Sequence, residues 1–274
     1  MKLTVGDQSI GFFDFDYKTM SGGRVGISLS GGTDSAILFY MMAKYLKDVT
    51  IVPWTSYEES DDPQKERPYT IEAAEAVYDF VKAKFPDADI ADQYKFVYDR
   101  MDPEAAEEAK AMNVPGWHMY PMAIPGIVKV ILMRREEDKA FETGLYGMYV
   151  GGLTTNPPDE LLKSDWKPKG WRAAPKKDTG QIVNWEPRRS QRDNPQLQVS
   201  TPSRSHYHPF VQVDKKFVKG LYEQEGMMEE LYPMTESCTG FAKETNWFNE
   251  PCRSCFWCYE KYWAFGSYDG GLTE

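Results

Sequence analysis

The chain has 274 residues, 41% of them hydrophobic, with a net charge of −10 and a pI near 5.0. Length admits one large domain or two small ones, and the hydrophobic share is ample for a core. The acidic balance argues against general nucleic-acid binding, no run approaches the ~20 apolar residues of a membrane span, and the first twenty residues lack the apolar centre of a signal peptide, so a cytoplasmic protein without membrane contact is expected.

Residues 1–23 suggest a short strand or two around Ser9, Ile10, Gly11, Phe12 and Phe13. The strand-like run Arg24-Val25-Gly26-Ile27-Ser28-Leu29 then meets the turn Ser30-Gly31-Gly32-Thr33-Asp34-Ser35, and an apolar segment of helical length follows as far as Leu46. Gly31 and Gly32 permit positive φ and let a ligand approach the backbone. With the hydroxyls of Ser30 and Ser35 and the free N–H groups of the helix start, they make an anion site suited to phosphate or pyrophosphate. It is not a Walker loop, because no lysine lies between Arg24 and Lys44.

Residues 49–54 read as a second strand that ends at a proline, and 58–68 as an acidic, turn-rich stretch. A helix is expected over 70–84, with Ile71, Ala74, Val77, Tyr78 and Val81 at helical spacing. A strand over 92–98, a short helix over 103–112 and a longer helix within 115–141 follow; the stripe of the last runs through Ile127, Val130, Ile131 and Phe141. Residues 146–151 read as a buried strand leading into Gly151, Gly152 and a loop. Strands alternating with helices imply an α/β fold with a doubly wound, mainly parallel sheet. Ligands of such sheets sit beyond the carboxyl ends of the strands, which puts residues 30–35, Trp54 and 151–156 on one rim.

Between Lys163 and Arg204 ten basic residues face four acidic ones, a local charge of +6. The stretch is Pro- and Trp-rich and reads as a long insert or lid with little regular structure. Trp166, Trp171 and Trp185 either pin it to the body or stack on a base, so a nucleic acid and a plain solvated loop both stay open. Further on, Asp214 is placed to cap a helix over 215–225 that stops at Gly226. There are three histidines, His118, His206 and His208; the last two would face opposite ways and read as ordinary polar loop residues rather than a metal pair.

All four cysteines, Cys238, Cys252, Cys255 and Cys258, lie in the last quarter of the chain. Two residues between successive thiols suit a turn that aims both sulfurs at one tetrahedral ion, and four thiolates close a structural zinc shell. An iron–sulfur cluster and free thiols are the rival readings.

The turn over 30–35 resembles the pyrophosphate loop (Ser-Gly-Gly-x-Asp-Ser) of the PP-loop, or N-type ATP pyrophosphatase, superfamily. The loop, the Pro209-Phe210 to Lys215 stretch, Thr235-Glu236-Ser237-Cys238 and the terminal cysteine block followed by Phe265 together look most like the 7-cyano-7-deazaguanine synthases. That resemblance implies an adenine nucleotide α-hydrolase-like fold carrying a four-cysteine zinc module. It implies an AMP-forming ligase that uses ATP, Mg2+ and Zn2+, takes a heterocyclic carboxylate and ammonia, and makes an amide and then a nitrile. Ser30, Asp34, Ser35 and Lys215 would be catalytic, with Asp34 holding the loop or magnesium and Lys215 facing the α-phosphate. Leu29, Ser30, Gly31, Gly32, Thr33, Asp34, Ser35, Trp54, Gly151 and Gly152 would bind ATP, and the four cysteines the zinc. The expected division is an ATP-binding domain over 1–160, a basic insert over 161–205 and a zinc-bearing helical region over 206–274, in a protein that could pair as a homodimer. The chain departs from the family pattern at residues 53–57 and 154–158. A PP-loop sulfurtransferase or adenylyl-sulfate reductase, and a non-catalytic zinc-stabilised nucleic-acid-binding protein, are the alternatives.

Overall fold

Val25, Ile27 and Leu29 alternate with Gly26 and Ser28, and the three apolar residues are fully buried on one face of a strand. Around that strand the computed structural model describes residues 1–58, 69–99, 102–111, 123–162, 164–172, 195–201, 204–240, 242 and 244–273. A hairpin of β1 (Lys2–Val5) and β2 (Gln8–Gly11) and a short helix α1 (Tyr17–Met20) lead into β3 (Arg24–Ser28). Then come α2 (Thr33–Tyr45), β4 (Thr50–Glu58), α3 (Tyr69–Lys84), β5 (Tyr94–Tyr98), α4 (Pro103–Ala111), α5 (Ala123–Glu142), β6 (Met148–Val150) and α6 (Asp159–Leu162). The chain closes with β7 (Leu197–Thr201), β8 (Arg204–Tyr207), α7 (Lys215–Gln224) and α8 (Phe256–Phe265).

Six strands form the main sheet in the order β5-β4-β3-β6-β8-β7, all parallel except β7, which runs antiparallel to β8. The order reverses between β3 and β6. That switch point opens a crevice between the loops that follow the two strands. Helices cover both faces. The larger core packs α2, α3 and α7 on the face that holds Val25, Ile27 and Ile51. A smaller cluster of Val52, Trp54, Ala140 and Tyr146 joins the other face to α5. Among the described residues no helix is long and apolar enough to cross a membrane.

Four details differ from the sequence expectations. The second strand does not end at Pro53 but continues to Glu58. Ile51 exchanges hydrogen bonds with Asp89 and Ala91, on the side of β5, while the Trp54 carbonyl bonds Leu29 on β3. Alternation therefore turns the donor-less nitrogen of Pro53 toward β5, whose ladder starts only at Trp54 opposite Tyr94. The stripe of α5 is displaced: Val128 and Ile131 are buried against Ala105 and Ala109 of α4, whereas Val130 is 47% exposed. The insert ends in a regular edge strand, β7, paired with β8. Finally, His206 and His208 share a face, both rings lying against Tyr149 at 5.7 and 6.0 Å, as the two-residue period of an extended chain requires. His118, Trp185 and residues 59–68 lie outside the described residues.

Candidate functional site: the loop after the third strand and its cysteine buttress

The apolar β3 ends at Ser28, the N–H of the next residue, Leu29, bonds the Trp54 carbonyl at 2.8 Å, and the chain turns over the sheet edge. Gly31 adopts φ +74°, and a Cβ there would stand 2.8 Å from the Ala73 Cβ and 2.9 Å from the Ala74 nitrogen. Only glycine satisfies both conditions. Gly32, by contrast, is the extended N-cap of α2 at φ −78° and makes no side-chain cap. The first-turn N–H groups of α2 thus carry no capping side chain, the arrangement that favours an anion. Hydroxyls set the loop's shape: the Ser35 Oγ donates to the Gly32 carbonyl at 3.1 Å and accepts from the Ser30 N–H at 3.2 Å. The Ser30 and Ser35 hydroxyls stand 3.1 Å apart.

Across the crevice, the loop after β6 comes close enough that a Cβ on Gly152 would lie 3.0 Å from the Ser35 nitrogen. Gly151 bonds the Tyr207 carbonyl through its N–H at 3.0 Å. The two loops expected on one rim do meet there. Trp54 lies just below it: its side chain is 3% exposed, within the cluster under α5, and its Nε1 has no hydrogen-bond partner among the described residues.

From the other side α7 delivers Lys215. Asp214 caps this helix by accepting the Lys216 N–H at 2.9 Å, which fixes where the lysine emerges. The Lys215 Nζ donates to the Asp34 Oδ2 at 2.6 Å and to the Thr33 hydroxyl at 3.3 Å, and stands 3.6 Å from the Glu260 carboxylate. Lys215 is 3% exposed and Glu260 fully buried, so two carboxylates share one buried ammonium at the helix start. The Asp34 Oδ1 has no partner among the described residues, leaving an oxygen free for a cation or a donor. The Tyr222 hydroxyl donates to the Thr33 carbonyl at 2.8 Å and pins the first turn from beneath.

The sequence reading missed Glu260, and with it Lys261 and Asp269. Lys261 is 1% exposed; it donates to the Thr235 carbonyl at 3.2 Å and pairs with Asp269. Asp269 in turn accepts the backbone N–H groups of Ser237 and Cys238 at 2.9 and 2.6 Å. The signal was a charged pair, Glu260-Lys261, inside an otherwise apolar and aromatic helix: a buried ion there needs a partner. Burial, with Asp269 close by, pushes the Glu236 carboxyl up to about 7.

The four cysteine sulfurs gather within 4.8 Å of one another, with Cys252 and Cys258 3.9 Å apart. Backbone N–H groups of Gly240 and Cys252 point at the Cys238 sulfur from 3.3 and 3.2 Å, and Cys255 caps α8 by accepting the Cys258 N–H. Hydrogen bonds with Cys238 hold the Cys252 and Cys255 thiols low. Four ligands about 2.3 Å from one ion stand about 3.8 Å apart, so the donor set fits a single tetrahedral metal. Trp166 and Trp171 pack edge-on against Tyr259 of α8, at 5.0 and 5.7 Å.

Residues 16–133 match the family model described as Asparagine synthase, which is less than half of the chain. The match covers β3, the loop and α2, so the resemblance to that family rests on the part of the chain that builds the loop. No curated protein matches the sequence. Among solved structures, the chain is similar to the U34-tRNA thiolase NcsA from Methanococcus maripaludis with its 4Fe-4S cluster, at 11% identity and a TM-score of 0.37. That match covers 74% of this chain and 57% of the thiolase chain, so the protein spans little more than half of that neighbour.

Proposed function

We propose that the protein is an ATP-dependent, AMP-forming ligase that adenylates the carboxylate of a small heterocycle, 7-carboxy-7-deazaguanine by sequence resemblance, and converts it with ammonia to the amide and then the nitrile. The observation that carries the reading is the buried Lys215 ammonium 2.6 Å from Asp34, at the uncapped start of the helix behind the Ser-Gly-Gly-Thr-Asp-Ser loop.

The residues of the site fit the following course for the proposed reaction. The loop N–H groups and the hydroxyls of Ser30 and Ser35 would take the β- and γ-phosphates of ATP, where pyrophosphate must leave. A substrate carboxylate oxygen attacks the α-phosphorus, the bond to the β-phosphate oxygen breaks, and Lys215 offsets the charge that grows on the phosphoryl oxygens. Ammonia then attacks the acyl carbon, AMP leaves and a proton is lost, giving the amide. The amide oxygen then attacks the α-phosphorus of a second ATP, pyrophosphate leaves and one N–H proton is lost; cleavage of the carbon–oxygen bond releases AMP, the second N–H proton is lost, and the nitrile remains. The free Asp34 oxygen is the ligand this chain would offer to magnesium, which when bound shields the phosphate charge.

The cysteines are assigned to zinc in a folding role. A closed shell of four thiolates leaves no position for water, and the close sulfur spacing suits one ion better than a cluster whose irons stand between the thiolates. With all four committed there, none of the chain's cysteines remains to carry sulfur, which disfavours the sulfurtransferase reading. The packing of Trp166 and Trp171 on Tyr259 supports pinning of the insert over base stacking.

Incubation with magnesium-ATP, ammonium and 7-carboxy-7-deazaguanine tests the proposal. AMP, pyrophosphate and the nitrile, detected by mass, are the expected products. Release of ADP, or no turnover, would overturn it.

A further inference from the structure

On the α5 face of the sheet, opposite the phosphate loop, four side chains converge level with the carboxyl end of β3: Ser28 at that end, Trp54 opposite it in mid-β4, Tyr149 of β6, and His208 just past β8. Tyr149 is the hub. Its ring lies 5.8 Å from Trp54 and 6.0 Å from His208. Its hydroxyl is raised to about 12 by burial, against a hydrogen bond with Ser28. Two polar atoms of the group are buried and make no well-formed hydrogen bond among the described residues, the indole Nε1 of Trp54 and the Nδ1 of His208, which lies beside the Gly151 backbone. Trp54 is 3% exposed and both orphaned atoms are closed to solvent, whereas the Tyr149 and His208 rings are only half-buried and give the group an exposed edge.

An indole N–H left unpaired in a protein interior forfeits the hydrogen bond it made to water, and native structures rarely leave two such atoms around one ring. The neighbouring polar group does not serve them. His206 is bonded to Glu137 at 2.5 Å, and Glu137 also faces Arg204. No lysine or arginine among the described residues reaches either orphaned atom, and burial disfavours the charged form of the His208 imidazole. The missing partner is therefore a neutral polar edge, not an anion. Indole N–H is a donor only, so the partner must present an acceptor to it. A neutral imidazole nitrogen and a tyrosine hydroxyl supply complementary positions beside it.

We infer that this group is the ring-binding subsite for the acceptor: a flat, neutral nitrogen heterocycle, whose carbonyl oxygen or ring nitrogen accepts from Trp54 and whose adjacent edge meets His208 and Tyr149. The inference rests on the ligase reading above and adds where its acceptor sits. The loop and the start of α2 hold phosphate from one face of the sheet; the ring enters from the other. The two substrates meet over the switch point between β3 and β6, where Gly152 packs against the start of α2 and Gly151 against the His208 ring.

The test compares wild type with Trp54→Phe, His208→Phe and His208→Gln, each checked for unchanged melting. AMP formation is followed with 7-carboxy-7-deazaguanine varied at saturating magnesium-ATP, and the reverse. Trp54→Phe and His208→Phe should each raise KM for the acceptor about tenfold, the worth of one buried hydrogen bond, with KM for ATP unchanged, and His208→Gln should restore part of the loss. A rise in KM for ATP alone would assign the group to adenine and overturn the inference; so would no change in either. In parallel, the Trp54 indole N–H resonance, assigned by its absence in Trp54→Phe, should shift when 7-carboxy-7-deazaguanine is added without ATP. That shift in a wild type that makes no AMP would sink the ligase reading and keep the ring site. AMP formation with an unmoved resonance would sink the ring site alone.

Discussion

The backbone N–H of Glu236 donates to the carbonyl oxygen of Gly31 at 2.9 Å, so the segment that ends in Cys238 also holds the phosphate loop. Asp269 and Lys261 clamp the same segment from behind. Folding of the cysteine module and the shape of the loop are thereby coupled through one short segment. Cys255→Ser should lose metal in elemental analysis and lower the melting temperature. It should also weaken magnesium-ATP binding, although Cys255 lies outside the loop. Full metal retention would refute the four-thiolate site, and metal loss with unchanged ATP affinity would refute the coupling.

Gly31 itself is held against α3. Replacing it with alanine forces a β-carbon into the left-handed region, at about 1–2 kcal/mol, and into contact with Ala73 and Ala74. Gly31→Ala should therefore destabilise by more than the backbone term alone and reduce ATP affinity. Gly226→Ala, also at positive φ but with open space around its Cβ, should cost the backbone term and leave ATP binding intact. Equal effects of the two in denaturant titrations and ATP binding would show that the close approach to α3 is unimportant.

The loop, the alternation of strands and helices and the cysteine cluster were legible because each is local: a turn chemistry, a period or a spacing. The partners of Lys215 were not. Asp34 lies 181 positions away in the chain and Glu260 on a different helix, and they meet only because α2, α7 and α8 pack together. Pro53 misled because a strand's tolerance for proline depends on whether the neighbouring strand needs its N–H, which no single segment records. Val130 misled because 127, 130 and 131 fit a helical stripe as well as 127, 128 and 131 do. Packing of α4 against α5 selects the second set. His206 and His208 could have been read correctly from the period of an extended chain alone.

The buried triad gives a stability test with a definite sign. Lys215→Met leaves Asp34 and Glu260 facing each other without a cation, and should cost about 3–5 kcal/mol. It should also lower AMP formation by at least about a hundredfold. Adding Glu260→Gln to Lys215→Met should recover stability but not turnover. Asp34→Ala, which leaves Lys215 paired with Glu260, should abolish turnover while the protein stays folded. A double variant no more stable than Lys215→Met would mean that the carboxylate of Glu260 is not what the lysine compensates.

His208 supplies the pH dependence. Burial holds its imidazole below the ordinary value of 6.5, so the folded state resists protonation more than the unfolded chain does. Between the two values the unfolded state binds more protons, and stability must fall as pH falls. The contribution of His208 is thus fully present above about pH 6.5 and is lost as pH drops through the lower folded value. Wild type should show a slope in unfolding free energy below pH 6.5 that His208→Gln reduces, because glutamine has no proton to take up. The Gly151 backbone and the Glu137 carboxylate favour the charged ring but do not reverse the sign, since burial is the largest influence and His206 adds to it. If the two proteins lose stability in parallel from pH 7 to 5 in urea titrations, the ring is solvated in the folded state. The acceptor subsite built around it would then be open to water.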